Sequence, residues 1–217
     1  MNKFETKYLP YFPIIGLGIY LVVFTVAAVA YPGGSDNYPH ANGYSFYHNF
    51  LCDTMNPITQ SGIVNEARFK AIISHLVLSF TMISFFYILP KIFTVKNRNT
   101  KLIAVFGIAS MTAMAFMYTA YHDVIVTITG VLGAIALIPF FIELRHFKNK
   151  GLKRLAYLCY LLSIIVFFIF ETKIGIYYLP FIQKITFAAD AYWVVWSCMI
   201  VINKNKKALN FSKTIEA

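Results

Sequence analysis

Between Gly43 and Pro57 the chain reads GYSFYHNFLCDTMNP, where His48 and Cys52 stand four residues apart and Asp53 follows directly. A His and a Cys at i and i+4 on a helix can both face one Zn²⁺ ion, and two further ligands would complete a tetrahedral site. His75, the pair His122-Asp123, Glu171 and Asp190 follow, each in or at the edge of an apolar run. Imidazoles and carboxylates converging there could hold Zn²⁺ with one open position, and a metal-bound water would attack an ester or amide presented by a lipid. On this reading His75, His122 and Asp190 are the metal ligands. Asp190, Asp123 and Asp53 are the acid–base carboxylates, and His48 and Glu171 contact the ligand.

Each of these residues also has an ordinary explanation. An aspartate such as Asp190 in a lipid-spanning segment must face the bundle interior or a water-filled cavity, where a tie to Lys184 or a tyrosine would suffice. His75 alone can be a packing histidine, His122-Asp123 a helix-junction cap, and Glu171 a solvated helix end. Trp193 and Trp196 read as packing or interfacial-belt residues.

The elements that must position these groups are transmembrane helices. The chain has 217 residues, 59% apolar and 13% charged, and its apolar residues fall in runs. A run of about 18 or more residues crosses a hydrocarbon layer roughly 30 Å thick as a helix, because each residue rises about 1.5 Å. Six such helices are expected, at about 12–31, 70–90, 102–121, 124–143, 155–170 and 185–202, in a single membrane domain over 1–217. The third and fourth meet at AYHDV with almost no loop. Lys3, Lys7 and the AVA before Tyr31 imitate a secretory signal, but the apolar stretch is longer than a signal core and reads as a span.

Of the 19 Lys and Arg residues, 15 fall in the two termini and the 2–3 and 4–5 connections; Arg68, Lys70, Lys173 and Lys184 fall on the other side. The positive-inside rule then places both termini in the cytoplasm, in the plasma (inner) membrane. Of the acidic residues and histidines, only Glu5, Glu143, His146 and Glu216 belong to that cytoplasmic side. The net charge of +10 is a basic rim facing anionic head groups; no basic stretch interleaved with aromatics points to nucleic acid. Cys52 lies on the outer side, whereas Cys159 and Cys198 are expected about one turn from the cytoplasmic ends of their helices, sharing a depth out of reach of Cys52.

The one long connection, 32–69, opens with the turn-forming YPGGSDNYPHANG. Residues 45–55 then fit a short amphipathic helix. Phe46, Tyr47, Phe50, Leu51 and Met55 fall on one half and His48, Asn49, Cys52 and Asp53 on the other, with Ser45 as N-cap and Asn56-Pro57 as the stop. Such a helix would form a lid with its polar half toward the cluster below. Counting about 1.5 Å per residue, His75 and Asp190 each lie roughly 9 Å in from the outer side, on one level.

GYSFYHNFLCDTMNP, the NEARF leading into the second helix and the LPFIQKI leading into a Trp-containing last helix resemble a family of small six-helix bacterial membrane proteins labelled only as a domain of unknown function. The resemblance spans roughly 12–203 and implies the same architecture without an activity. Asp53, Asn65 and His122 match its pattern, which adds Asn65 to the ligand contacts. CDTM departs from the Ser-Asp-Leu-Gly of that family, so a role for Cys52 would be particular to this chain. A weaker similarity is to the membrane hydrolase superfamily of alkaline ceramidases and progestin and adiponectin receptors, which has seven helices and a His-x-x-x-His in the last. Six helices and a final helix bearing Asp190 without a histidine argue against membership.

The sequence thus predicts an all-α bundle of six transmembrane helices with an extracytoplasmic polar mouth that binds a small ligand or lipid. A metal-dependent lipid hydrolase and a structural or assembly partner are the alternatives. A proton-coupled transporter is disfavoured, because inverted repeats and broken helices are missing from the sequence.

Overall fold

The computed structural model describes the backbone over residues 7–216 and side chains over 7–209; Lys3, Glu5, Lys213 and Glu216 lie outside the described side chains. Six α-helices form the bundle: α1 (Phe12–Val29), α2 (Arg68–Ile88), α3 (Arg98–Met114), α4 (His122–Leu144), α5 (Lys150–Thr172) and α6 (Leu179–Glu216). The described residues contain no β-sheet, only two isolated bridges, Gly33 with Asn42 and Ile58 with Val64. Five of the helical segments are long and apolar enough to cross a membrane. The chain is a multi-pass membrane protein whose spans are helical, the form in which hydrocarbon lets backbone amides pair within one segment.

The sixth helix, α3, is shorter than expected. It has 17 residues and ends at Met114 rather than near 121. The chain continues through turns closed by Phe116 N to Ala113 O and Met117 N to Met114 O, i to i+3 contacts that tighten the last turn. At this end His75 Nε2 lies 2.7 Å from the Met114 carbonyl, which it shares with the Met117 amide. At its start α3 carries a reciprocal cap: Asn97 Oδ1 accepts from Thr100 N at 3.0 Å, and Thr100 Oγ1 accepts from Asn97 N at 3.0 Å.

The core runs between α2, α4 and α6 around Trp193, whose ring meets Phe85 at 5.2 Å and Phe140 at 5.5 Å, both edge-on. Small residues set the closest approaches. A methyl on Gly16 of α1 would overlap the Thr81 hydroxyl of α2 and stand 3.0 Å from Thr81 Cβ, so the two helices meet almost backbone to backbone there. On α3, Gly107 is covered by the Phe86 ring in the same way.

Two ends are distinct. Lys204 Nζ, on α6, donates to the carbonyls of Lys91 and Phe93, which places the basic α2–α3 connection beside the C-terminal half of α6. At the other end, residues 30–67 fold over the bundle and join the α5–α6 turn, where Asn37 Nδ2 donates to Tyr177 O at 2.9 Å. We call this folded connection the cap.

Two depths differ from expectation. Helix α6 begins at Leu179 rather than near 185, so Asp190 is about 16 Å along it, whereas His75 is about 10 Å along α2; Asp190 is the deeper by roughly one turn. Helix α5 begins at Lys150 rather than 155, which moves Cys159 from the helix end to about 13 Å along it, beside Asp190.

Candidate functional site

The cap is held by polar side chains turned inward. The stretch expected to be an amphipathic α-helix is instead a turn at 46–48 followed by a 3-10 helix, Cys52–Met55. The local reason is competition for the backbone. Asn49 Oδ1 accepts from Ser45 N at 2.8 Å, and Asp53 Oδ2 accepts from Phe50 N at 2.9 Å. Asn and Asp side chains thereby take amides and bend the chain where a regular ladder would otherwise continue. The expected sidedness survives in part: Asn49 and Asp53 are buried, whereas Phe46 and Tyr47 are exposed.

Asn49 is the hub. Its Nδ2 donates to Gly34 O at 2.7 Å and to Asp53 Oδ2 at 2.9 Å, and its backbone carbonyl accepts from Lys184 Nζ. Gly34 has φ of +85° and sits so close to Ser61 N and Pro39 O, 2.6 and 2.8 Å from where a Cβ would lie, that no side chain fits. Lys184 is 6% exposed, donates also to Pro180 O at 3.0 Å, and lies 5.5 Å from the Tyr44 ring centre and 5.4 Å from that of Phe46. Two carbonyls and two ring faces therefore solvate a cation withdrawn from water. The preceding residue also ties down the cap: Gln183 Oε1 accepts from Leu51 N at 3.1 Å.

Asp53, 4% exposed, has its carboxyl pushed up to about 6, chiefly by burial, while the hydrogen bonds from Asn49 and Phe50 and the Lys184 charge pull the other way. Burial, and then the Asp53 charge, also raises the Tyr31 phenol to about 12 and the Tyr44 phenol further. Burial of Cys52 pushes its thiol well above the usual range, so Cys52 is no thiolate nucleophile at neutral pH. All three cysteines, Cys52, Cys159 and Cys198, are free.

Asn65 frames the base of the cap: Nδ2 donates to Thr54 O at 2.9 Å and Asn56 O at 2.8 Å, and Oδ1 accepts from Ala67 N at 3.0 Å. With every polar atom of its amide so engaged, it holds the chain and offers a ligand little. His48 lies on the outside of the hub, against Tyr38 at 4.5 Å between ring centres, and its buried Nδ1 has no partner among the described residues. It lines a shallow cup of about 350 Å³ with Tyr47, Tyr177, Tyr178 and Phe181.

The remaining expected site residues lie elsewhere. His122 Nδ1 pairs with Asp123 Oδ1 at 2.9 Å at the start of α4, with the Asp123 side chain 79% exposed. Glu171 is exposed and accepts from Thr127 Oγ1 at 2.9 Å, linking α4 to α5. Asp190 is half-buried near the Cys159 thiol, and the suggested tie to Lys184 does not form because Lys184 turns to the cap. The tertiary structure therefore brings Asp53, His48 and Asn65 into one cap and sets His122 within electrostatic range of His75, without completing a set of three ligands with Asp190. Among the described residues no group of three or more His, Cys, Asp or Glu could hold a metal ion.

Lys184, Gln183, Tyr177, Tyr178 and Phe181 belong to the cap and its cup but had no part in the expected site. The local signal for two of them is a glutamine and a lysine side by side in an otherwise apolar segment, Gln183-Lys184. No family model, curated protein or solved structure matches the chain.

Proposed function

We propose that this multi-pass membrane protein binds a small ligand or lipid at its outer face, in the cup formed by Tyr47, His48, Tyr177, Tyr178 and Phe181. The observation that carries the reading is this concave, ring-lined surface, mounted on a cap that buried hydrogen bonds make rigid. Rings, those of His48 and its tyrosine and phenylalanine neighbours, supply apolar area and quadrupole faces to a head group. Both termini lie in the cytoplasm on this reading, because the basic connections gather at the end opposite the cap. Kinship with the small six-helix bacterial family belongs to the same proposal; two of its matching positions, Asp53 and Asn65, hold the cap together.

The hydrolase alternative lacks comparable support. Among the described residues no group of three or more His, Cys, Asp or Glu could hold a metal ion, and Asp53 is enclosed within the cap. A purely structural cap is favoured by one observation, the mutual satisfaction of Asn49, Asp53 and Asn65 by cap groups.

Photo-crosslinking separates the two readings. The protein is reconstituted with a phospholipid bearing a head-group diazirine, and the adducts are mapped by peptide. Adducts concentrated on 47–50 and 177–181, and lost in Phe181→Ala, are expected for a binding cup. Adducts spread evenly over exposed aromatic residues would leave the cap structural.

A further inference from the structure

A concavity of about 640 Å³ lies at the opposite end of the bundle, between the segment leading into α1 and the far part of α6. Helix α6 has 38 residues, about 57 Å at 1.5 Å per residue, so it outruns a hydrocarbon layer of about 30 Å. The crossing from apolar to basic sequence falls at the groove: Ile202 is followed by NKNKK on α6, and on α1 Lys7-Tyr8 precedes Tyr11, Phe12 and Ile15. Lys7 and Lys206 stand at its rim, and among the described residues no carboxylate lines it. Phe12 and Ile15, 61% and 59% exposed, open its floor toward the bilayer.

We propose that this groove binds one anionic phospholipid, the phosphate between Lys7 and Lys206 and an acyl chain along Phe12, Ile15 and Ile202. The inference goes beyond the outer-face reading and does not depend on it. Charge complementarity selects a negative head group, worth about a factor of five per lysine near a membrane surface. The apolar floor selects a lipid over a free phosphate ester, because burying that floor gains nothing from a hydrated anion. Tyr8 and Tyr11 sit at head-group level, where amphipathic rings are at home.

The test is native mass spectrometry of the full chain in detergent, titrated with phosphatidylglycerol or phosphatidylcholine. One phosphatidylglycerol should be retained roughly twenty-five-fold more tightly than phosphatidylcholine, a factor of about five for each of the two lysines, and glycerol phosphate in excess should not displace it. Lys7→Gln with Lys206→Gln should abolish the preference, whereas Lys148→Gln with Arg154→Gln, on the same rim, should keep it. Ile15→Trp, which fills the floor and leaves both lysines, should lower retention, with the helical circular dichroism of each variant checked. Equal retention of the two lipids, or equal loss in the Lys148/Arg154 variant, would overturn the proposal. A preference that emerges only after deletion of residues 2–6 would also overturn it, since the chain's own N-terminus would then be the occupant.

Discussion

Asn49 carries more of the outer face than any titratable residue near it. Truncating it to alanine strands the half-buried Ser45 amide and removes one donor each from Asp53 and from the Gly34 carbonyl, which keeps only the Tyr31 hydroxyl at 3.1 Å. Stranded buried groups are expensive, so Asn49→Ala should lower stability by roughly 2–4 kcal/mol. The cap should become the first protease-sensitive segment, with cleavage confined to 32–66 as the measurement that checks it. Asp53 gives a pH signature at the same scale. Its folded pKa of about 6 lies above the ordinary value of 3.8, so the stabilisation due to its neutral form is complete below about pH 4 and is lost as pH rises through 6. Both hydrogen bonds go to one oxygen, which the amide oxygen of Asn can replace. Wild-type melting temperature should therefore fall between pH 4 and 7 relative to Asp53→Asn, by the equivalent of at most roughly 3 kcal/mol. Parallel profiles would show that Asp53 is ionised without penalty.

At the scale of elements, α1 and α2 meet where Gly16 lies against Thr81. Gly16→Ala should force the pair apart and lower the melting temperature in detergent, the equivalent of roughly 1–3 kcal/mol for an overpacked contact. Thr81→Ala in the same chain should restore part of the loss, since it removes the two nearest atoms and leaves only Cβ at 3.0 Å. The absence of rescue would mean that the helices do not approach there. His75 acts at this scale too, as the cap of α3. Its imidazole stood out in the sequence as a candidate ligand, but nothing local reveals that its partner is a backbone carbonyl 39 residues away.

For the whole molecule, the charge asymmetry makes an orientation testable in cells. Val64, 72% exposed on the cap, and Lys148, exposed in the α4–α5 connection, lie at opposite ends. With cysteine at Val64, a membrane-impermeant maleimide should label intact cells; with cysteine at Lys148, only lysed ones. The reverse pattern would invert the topology and move the cup to the cytoplasm. Elemental analysis of chelator-free protein is expected to show no stoichiometric transition metal that disappears with Asp190→Asn and His75→Gln, because among the described residues no group of three or more His, Cys, Asp or Glu could hold one. Metal lost in that variant would revive the hydrolase.

Membrane residence, six helices and the segregation of basic residues were determined by the sequence alone, because they follow from apolar run length and charge counts that need no knowledge of neighbours. The inward-facing polar side of 45–55 was legible for the same reason: it is a local pattern. Its backbone form was not, because Asn49 and Asp53 spend their side chains on nearby amides and their burial depends on Gly34 and Lys184, 15 and 135 residues distant from Asn49. Likewise the depth of Asp190 and Cys159 turned on where α5 and α6 begin, and helix ends are set by capping and packing more than by hydropathy. Which polar groups meet across helices was decided only by the tertiary structure, since each buried group takes whatever partner the packing brings within about 3 Å.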